Sequence, residues 1–294
     1  MKNALFLLAM ISLTFALCIN VTGPVIYLTN KDVASIYPKL KPGTLTVKGQ
    51  TIYVKSANEV ISNYTGWLPA ILVKVNPNQV KICKAYGLKV YKGCNGGLYC
   101  LQPAPKAPIL FYNGNYTKLL FELNVTKGLG NPKAKVWVIE LLDPFCPYCA
   151  LFYRQGGGKV IIKYVKEGKI YLIPIVVAFH TKAPGYEESL KLAYQLNEYA
   201  KKGKVAMFFT LEEKIAKNVV KLYEGKMKLS NVTLPKEILE KANKANLKLA
   251  QKLFPMVATP GNVFVNVKTG KAIAVMGAMT DKGVEVIYKR VLNG

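Results

Sequence analysis

Cys146 and Cys149 stand three positions apart in "VIELLDPFCPYCALF" (Val138 to Phe152), behind a run of apolar residues. Three chemistries use such a pair: a covalent clip, half of a metal site, or a working redox couple. A C-x-x-C at the joint between a buried strand and a helix suits the third. Cys146 then caps the helix, where unpaired N–H groups and the backbone dipole favour an anion. That lowers the thiol pKa and keeps thiolate available near neutrality. Cys149, one turn further on, is within reach to attack a mixed disulfide and release its partner. Pro147 fits the first turn, where a missing N–H costs nothing. Phe145, Tyr148 and Phe152 supply apolar surface near the sulfurs. A tetrahedral zinc site needs two further ligands, and His180 is the sole histidine. Cys94 and Cys100 could supply them only across a proline-rich connector. As a clip, the pair would close almost no loop. The residues read as a redox couple with no metal and no cofactor.

Two other positions bear on this chemistry. "MVATPGNVFVN" places Pro260 just ahead of a strand, where an X-Pro bond can be cis. A cis proline there would face the cysteines and shape an edge for an extended client peptide. The bland alternative is an ordinary turn. Glu140 sits in the middle of a buried strand, where a carboxylate must be paired or protonated. It reads either as a relay for the proton that Cys149 must lose or as the partner of a nearby lysine. His180, ending "VVAFH", reads as a polar strand terminus rather than a base.

The elements that hold these residues follow from periodicity. "KVWVIELLD" is continuously apolar, as a buried strand is. A helix should begin at the cysteines, and "KVIIKYVKEG" continues helical periodicity until Gly168 closes it. "KIYLIPIVVAF" is the next strand, and a helical insert covers about 187–254. "GNVFVNV" and "KAIAVMG" form a hairpin turning at Thr269-Gly270, and a last helix follows. Strand, helix, strand, helical insert, hairpin, helix is a thioredoxin-like α/β layout over 131–294. Ahead of it, 19–101 reads as a smaller, strand-rich α+β domain. "GTLTVKGQTIYVKS" alternates as a hairpin does, and "AILVKV" and "LKVYKG" are further strands. Between them, 102–130 is read as a linker with prolines at 103, 105 and 108, containing a strand and turn at "ILFYNGNYTKLLFEL".

The 294 residues carry 41 basic and 16 acidic side chains, a formal net charge of +25. Only Arg154 and Arg290 are arginines, so the planar guanidinium that reads base edges and grips phosphates is nearly missing. The lysines are dispersed along the chain, which argues against specific nucleic-acid binding and for a solvated surface. Residues 1–18 read as a secretory signal peptide or membrane anchor: one lysine, then an apolar stretch short for a spanning helix. Five N-x-T sequons, at Asn20, Asn63, Asn115, Asn124 and Asn231, exceed the one or two of chance and fit a glycosylated, exported protein. Export places the chain outside the cytoplasm, secreted or anchored, where disulfides persist.

"DPFCPYC", "GKIYLIPIVV", "ANLKLAQKL" and "VATPGNVFVNVKTGKAIAVMG" together resemble the catalytic domain of DsbC/DsbG thiol:disulfide interchange proteins. "GNPKAKVWVIELLD" is similar to the wider DsbA-like group. The resemblance covers about 130–294. It implies Cys146 as nucleophile, Cys149 as resolving cysteine, Thr259 and Pro260 as the threonine–cis-proline pair of the client groove, and Glu140 as the buried acid. It also implies an N-terminal dimerisation domain and a homodimer. Two departures stand out: Gly156-Gly157-Gly158 interrupts a helix the family continues, and Gly261-Asn262 follows the proline.

Of the remaining cysteines, Cys94 and Cys100 flank "NGGLY", whose glycines permit a tight loop, and are read as a disulfide. Cys83 is left over, to be buried and inert, bonded to Cys18 if the leader stays, or linked to a second chain. The functional expectation is an exported oxidoreductase that isomerises or reduces wrong disulfides. Its partners would be disulfide-containing exported clients and a membrane redox partner that keeps Cys146 reduced. The alternatives are a DsbA-like disulfide-forming oxidase, or a surface assembly factor carrying a redox domain.

Overall fold

The computed structural model describes residues 18–21, 23–47, 50–85, 88–104 and 107–294. The first part of the chain runs β1 (Val25–Thr29), α1 (Lys31–Ile36), β2 (Gly43–Val47), β3 (Gln50–Ser56), α2 (Ala57–Val60), β4 (Gly66–Leu68), β5 (Ala70–Val75), α3 (Pro77–Ala85), β6 (Val90–Lys92) and β7 (Leu98–Pro103). The second runs β8 (Ile109–Asn113), α4 (Tyr116–Glu122), β9 (Leu129–Gly130), β10 (Val136–Leu142), α5 (Pro147–Gln155), α6 (Gly158–Lys166) and β11 (Ile170–Val176). It continues through α7 (Tyr186–Lys201), α8 (Val205–Tyr223), α9 (Lys236–Leu253), β12 (Gly261–Asn266), β13 (Ala272–Met276) and α10 (Asp281–Asn293).

Two sheets result. Six strands order as β2-β3-β1-β5-β7-β6, and seven as β4-β8-β13-β12-β10-β11-β9. In the second, β10 runs parallel to β11 and antiparallel to β12, which forms a hairpin with β13. Every residue of β10 is buried, which is why its sequence reads as an unbroken apolar run with a single carboxylate in it. Its even-numbered residues, Val136, Val138 and Leu142, face α5 and α6, and Trp137, Ile139 and Leu141 face the layer carrying α4 and α9. Each fully buried branched side chain stabilises this arrangement by about 1.5–3 kcal/mol. The helices α7 to α9 fill the connection between β11 and β12, where the helical insert is expected.

Three expectations change. Cys94 and Cys100 are not bonded to each other: Cys18 pairs with Cys94, and Cys83 with Cys100. The burial explains it. Cys100 is fully buried on β7 and meets buried Cys83 from α3, whereas exposed Cys94 lies past the end of β6. Ile19 bridges Gly93 there and brings Cys18 alongside. Cys18, the last residue of the expected leader, is thus bonded into the described structure, and residues 1–17 lie outside the described residues. Finally, the stretch read as a linker is substantially built in. β8 pairs with β13 and α4 packs beside it, while β4 is lent by the first part of the chain to the edge of the second sheet. Arg290 fastens the two parts, donating to Ser35 Oγ (2.7 Å) and stacking its guanidinium over Phe111. Tyr37 donates to the Ile109 carbonyl at 3.1 Å. Among the described residues, no helix is long and apolar enough to cross a membrane.

Candidate active site

β10 ends at Leu142, the chain turns through Asp143–Phe145, and α5 begins. Asp143 shapes this turn. Its Oδ1 accepts the Phe145 N–H (2.7 Å), and its Oδ2 accepts the Phe179 N–H and meets His180 Nδ1, both at 2.9 Å. One buried carboxylate thus ties the cysteine loop to the segment that follows β11. Burial raises its pKa, and the Phe145 and Phe179 N–H bonds and His180 oppose that rise. His180 lies four residues past the end of β11 rather than at a strand terminus, and it anchors the loop through Asp143, a role its sequence position did not indicate.

Cys146 is the N-cap of α5 with an extended backbone, and Pro147 follows as the first helical residue. Only 6% of Cys146 is exposed, and Cys149 is buried behind it. Tyr148 stands 63% exposed and Leu151 joins it at the surface. Phe145 and Phe152 are buried in the same apolar cluster as Cys146 and Cys149. The Thr259–Pro260 peptide bond is cis, and the Cys146 thiol reaches the Thr259 carbonyl oxygen at 3.4 Å. Pro260 is buried at the head of β12 and Thr259 half-buried. Chain segments over a hundred residues apart therefore meet at one sulfur.

The two thiols are electrostatically unequal. Cys146 is pulled down to about 6, first by a hydrogen bond from the Cys149 thiol, with help from Thr259 and from the backbone N–H groups of Tyr148 and Cys149. Partial burial works against that. Cys149 is pushed well above the usual thiol range by burial, by giving its proton to Cys146 and by the charge beside it. The proton thus sits on the inner sulfur and the negative charge on the outer one. Such a pair can attack a disulfide through Cys146 and hold Cys149 back until deprotonated.

Glu140 lies beneath them on β10. Tyr153, on α5, donates its hydroxyl to Glu140 Oε2 at 2.7 Å, and no lysine of the described residues pairs with it. Burial raises Glu140 to about 7 despite the Tyr153 bond. Two residues near it have no role beside Glu140 in the sequence reading. Asn262 faces Glu140 in register across β10 and β12 and is fully buried. Glu212, on α8, is 5% exposed and raised to about 8 by burial and by the charge of Glu140. The signal for Glu212 was available: Phe208, Leu211, Ile215 and Ala216 make an apolar stripe at helical spacing, and position 212 falls inside it. Among the described residues, no three His, Cys, Asp or Glu side chains assemble as a metal site.

The family model described as thioredoxin matches residues 124–266, which include the cysteine pair and Pro260. The chain is similar to a crystal structure of alpha-DsbA1 from Wolbachia pipientis (19% identity, TM-score 0.44), over 60% of this chain and 96% of that one. It is similar to oxidised BdbD from Bacillus subtilis (22%, TM-score 0.42), over 58% and 95%. A periplasmic thioredoxin-like protein from Salmonella enterica serovar Typhimurium matches at 20% and TM-score 0.43, over 62% and 99%. None of the curated proteins matches the chain. The second part of the chain is a thioredoxin-like α/β domain carrying a helical insert.

Proposed function

We propose that the protein is an exported thiol–disulfide oxidoreductase that reduces or isomerises non-native disulfides in proteins outside the cytoplasm. The observation that carries this reading is the asymmetry of the cysteine pair: an acidified thiol at a helix start, beside Thr259, with a protonated, buried thiol behind it. Cys146 attacks the client disulfide, and a mixed disulfide forms while the client's other sulfur leaves as thiolate. Cys149 then attacks Cys146, the client's second sulfur departs, and the enzyme is left oxidised. Isomerisation needs no net electrons, whereas repeated reduction needs a membrane redox partner to return two. The exposed Tyr148 and the Thr259–Pro260 edge are the proposed client contacts, and a homodimer through the first sheet belongs to the proposal.

Export is supported by two disulfides formed by four of the six cysteines. All five sequon asparagines are exposed, which glycan attachment requires. A second reading, a disulfide-forming oxidase of the DsbA-like kind, is favoured by the depressed Cys146 pKa itself. Stabilising the thiolate stabilises the reduced couple and makes the disulfide more oxidising.

The deciding experiment is the reduction potential of the Cys146–Cys149 couple, read with its redox state in cells. An isomerase or reductase is held largely reduced, and an oxidase oxidised. Cys146→Ser abolishes turnover on scrambled, disulfide-bonded substrate in both. If that variant keeps full activity in promoting client maturation, the protein is an assembly factor at the cell surface, and the redox reading fails.

A further inference from the structure

The two sheets are built on one plan. Inside the first, β3-β1-β5-β7 lie side by side, with β3 parallel to β1 and the other pairs antiparallel. Inside the second, β11-β10-β12-β13 repeat those neighbours and directions in the same chain order. A helical crossover joins the parallel strands in each, through α1 in one and α5–α6 in the other. Pro69 stands immediately ahead of β5, as Pro260 does ahead of β12. The registers agree as well. Ala70 pairs with Leu28 and Leu28 with Lys55, as Gly261 pairs with Leu141 and Leu141 with Ile175. In both, the residue after the proline faces the penultimate residue of the central strand, which faces the penultimate residue of its parallel neighbour. Asn30 then caps α1 as Cys146 caps α5, and buried Val33 takes the place of Cys149. The approach is shorter in the first half, where β1 passes straight into its cap without a counterpart of Asp143–Phe145.

The stretches ahead of the two prolines are used differently. Among the described residues no strand pairs with 257–259, and Met256 and Ala258 are exposed. The equivalent stretch of the first half is β4, and it is taken: Leu68 pairs with Phe111, Trp67 with Tyr112 and Gly66 with Asn113 of antiparallel β8. From there β8 runs along α1. Asn30 Nδ2 donates to Asn113 Oδ1 at 3.2 Å, and Asn113 Nδ2 donates to the Tyr64 carbonyl at 2.6 Å. At the far end Tyr37, which closes α1, accepts the Ile109 N–H on its hydroxyl at 3.3 Å. An extended strand thus lies on the proline edge with one side chain against the helix cap.

We propose that residues 25–103 form a second thioredoxin-type unit without redox chemistry, whose strand-binding edge grips β8 of the same chain. It does so in the place where, on the redox reading above, the catalytic half receives a client. The ligand class is an extended strand, held by backbone N–H and C=O groups and, at Asn30, by a side-chain amide. Asn30 and Val33 cannot exchange disulfides, and Cys83 and Cys100 are bonded to each other on α3 and β7. The first half therefore holds its strand with no covalent step. That hold has a physical use. β8 is the strand beyond β13, and an open strand edge is a template for pairing with other chains. β4 covers it and, being three residues long, leaves little edge of its own.

The test restores the missing thiols in the full-length chain carrying Cys146→Ser and Cys149→Ser. Asn30→Cys with Asn113→Cys puts one thiol in the nucleophile's place and one in the client's. After equilibration in glutathione buffer, alkylation and peptide mapping find a disulfide between positions 30 and 113. Adding Val33→Cys resolves it. The thiol at 33 gives its proton to solvent and its sulfur bonds to that at 30, while the 30–113 bond breaks. The sulfur at 113 leaves with the electron pair and takes a proton from water. The disulfide then maps to 30 and 33, and position 113 is free to alkylate. No 30–113 disulfide in the double variant, or its persistence in the triple one, overturns the proposal. If the variants do not fold, amide hydrogen exchange of the wild type decides. The N–H groups of β4 that pair with β8 exchange about tenfold or more slowly than those of 257–259, as paired and open backbone do. Equal rates overturn the proposal. A Cys146–Cys149 couple that proves inactive in the wild type sinks the redox reading and leaves both readouts untouched.

Discussion

The Cys146 sulfur lies 3.4 Å from the carbonyl oxygen of Thr259, a residue 113 positions further along the chain. That contact joins the start of α5 to the turn entering β12, and the Thr259 side chain also favours the thiolate. Thr259→Val keeps the shape and removes the hydroxyl. The Cys146 pKa then rises, and alkylation at pH 6 slows by roughly two- to fivefold, since the thiolate is the reacting species. Iodoacetamide kinetics check it. An unchanged rate would assign the acidity to the helix start and Cys149 alone.

Stability carries the signature of the buried acids. An ordinary carboxyl titrates near 4 when unfolded, whereas burial holds Glu140 at about 7 and Glu212 at about 8 in the folded protein. Between these values the native state binds more protons, so stability falls as pH rises. Each contribution is complete below the unfolded pKa and gone once pH passes the folded one. For the oxidised protein, in which the cysteines do not titrate, unfolding free energy falls by on the order of a few kcal/mol between pH 5 and 9. The Glu140→Gln/Glu212→Gln variant shows a flatter profile and exceeds the wild type at pH 9. Urea unfolding across this range checks it, and parallel profiles would place both carboxyls in ordinary surroundings.

Tyr153→Phe removes the hydroxyl that serves Glu140 Oε2. With both Glu140 oxygens unserved, the charged form is disfavoured further and the carboxyl titrates higher. Loss of one buried hydrogen bond costs about 1–3 kcal/mol, read as a lower denaturant midpoint. The loss should be larger at pH 9 than at pH 5, because it is the carboxylate that is left without its donor.

Gly157 marks the break between α5 and α6. Its N–H donates to the Met279 carbonyl at 2.8 Å, and a Cβ there would collide with the Val284 side chain at the start of α10. A Cβ on neighbouring Gly156 would lie 2.6 Å from the Met279 oxygen. Gly157→Ala therefore costs about 1–3 kcal/mol by overpacking. A thermal melt reads it, and Cys146 keeps its acidity, because α5 starts at the opposite end.

Much of the site was legible because its signals are local. An apolar run ending at Asp143, followed by C-P-Y-C, dictates a strand, a turn and a helix start within a dozen residues. The glycine interruption was legible too, although its cause, the approach of α10, lies over a hundred positions away. What stayed hidden depends on pairing across the fold. Cys94 and Cys100 are close in sequence, yet one is exposed and the other buried, so each finds a different partner. Asn262 gains its meaning from register with Glu140, which no local pattern encodes. Likewise, the strand at Ile109–Asn113 was readable, but its place beside β13, with β4 added from the first part of the chain, was not.

An acidified outer thiol is the engine of the proposed exchange, and it can be read directly. Thiolate absorbance of the reduced protein is titrated with pH, with Cys146→Ser as control. The expected midpoint is about 6, present in the wild type and lost in the variant. A Cys146 that ionises near 8.5, as an unperturbed cysteine does, would contradict the account.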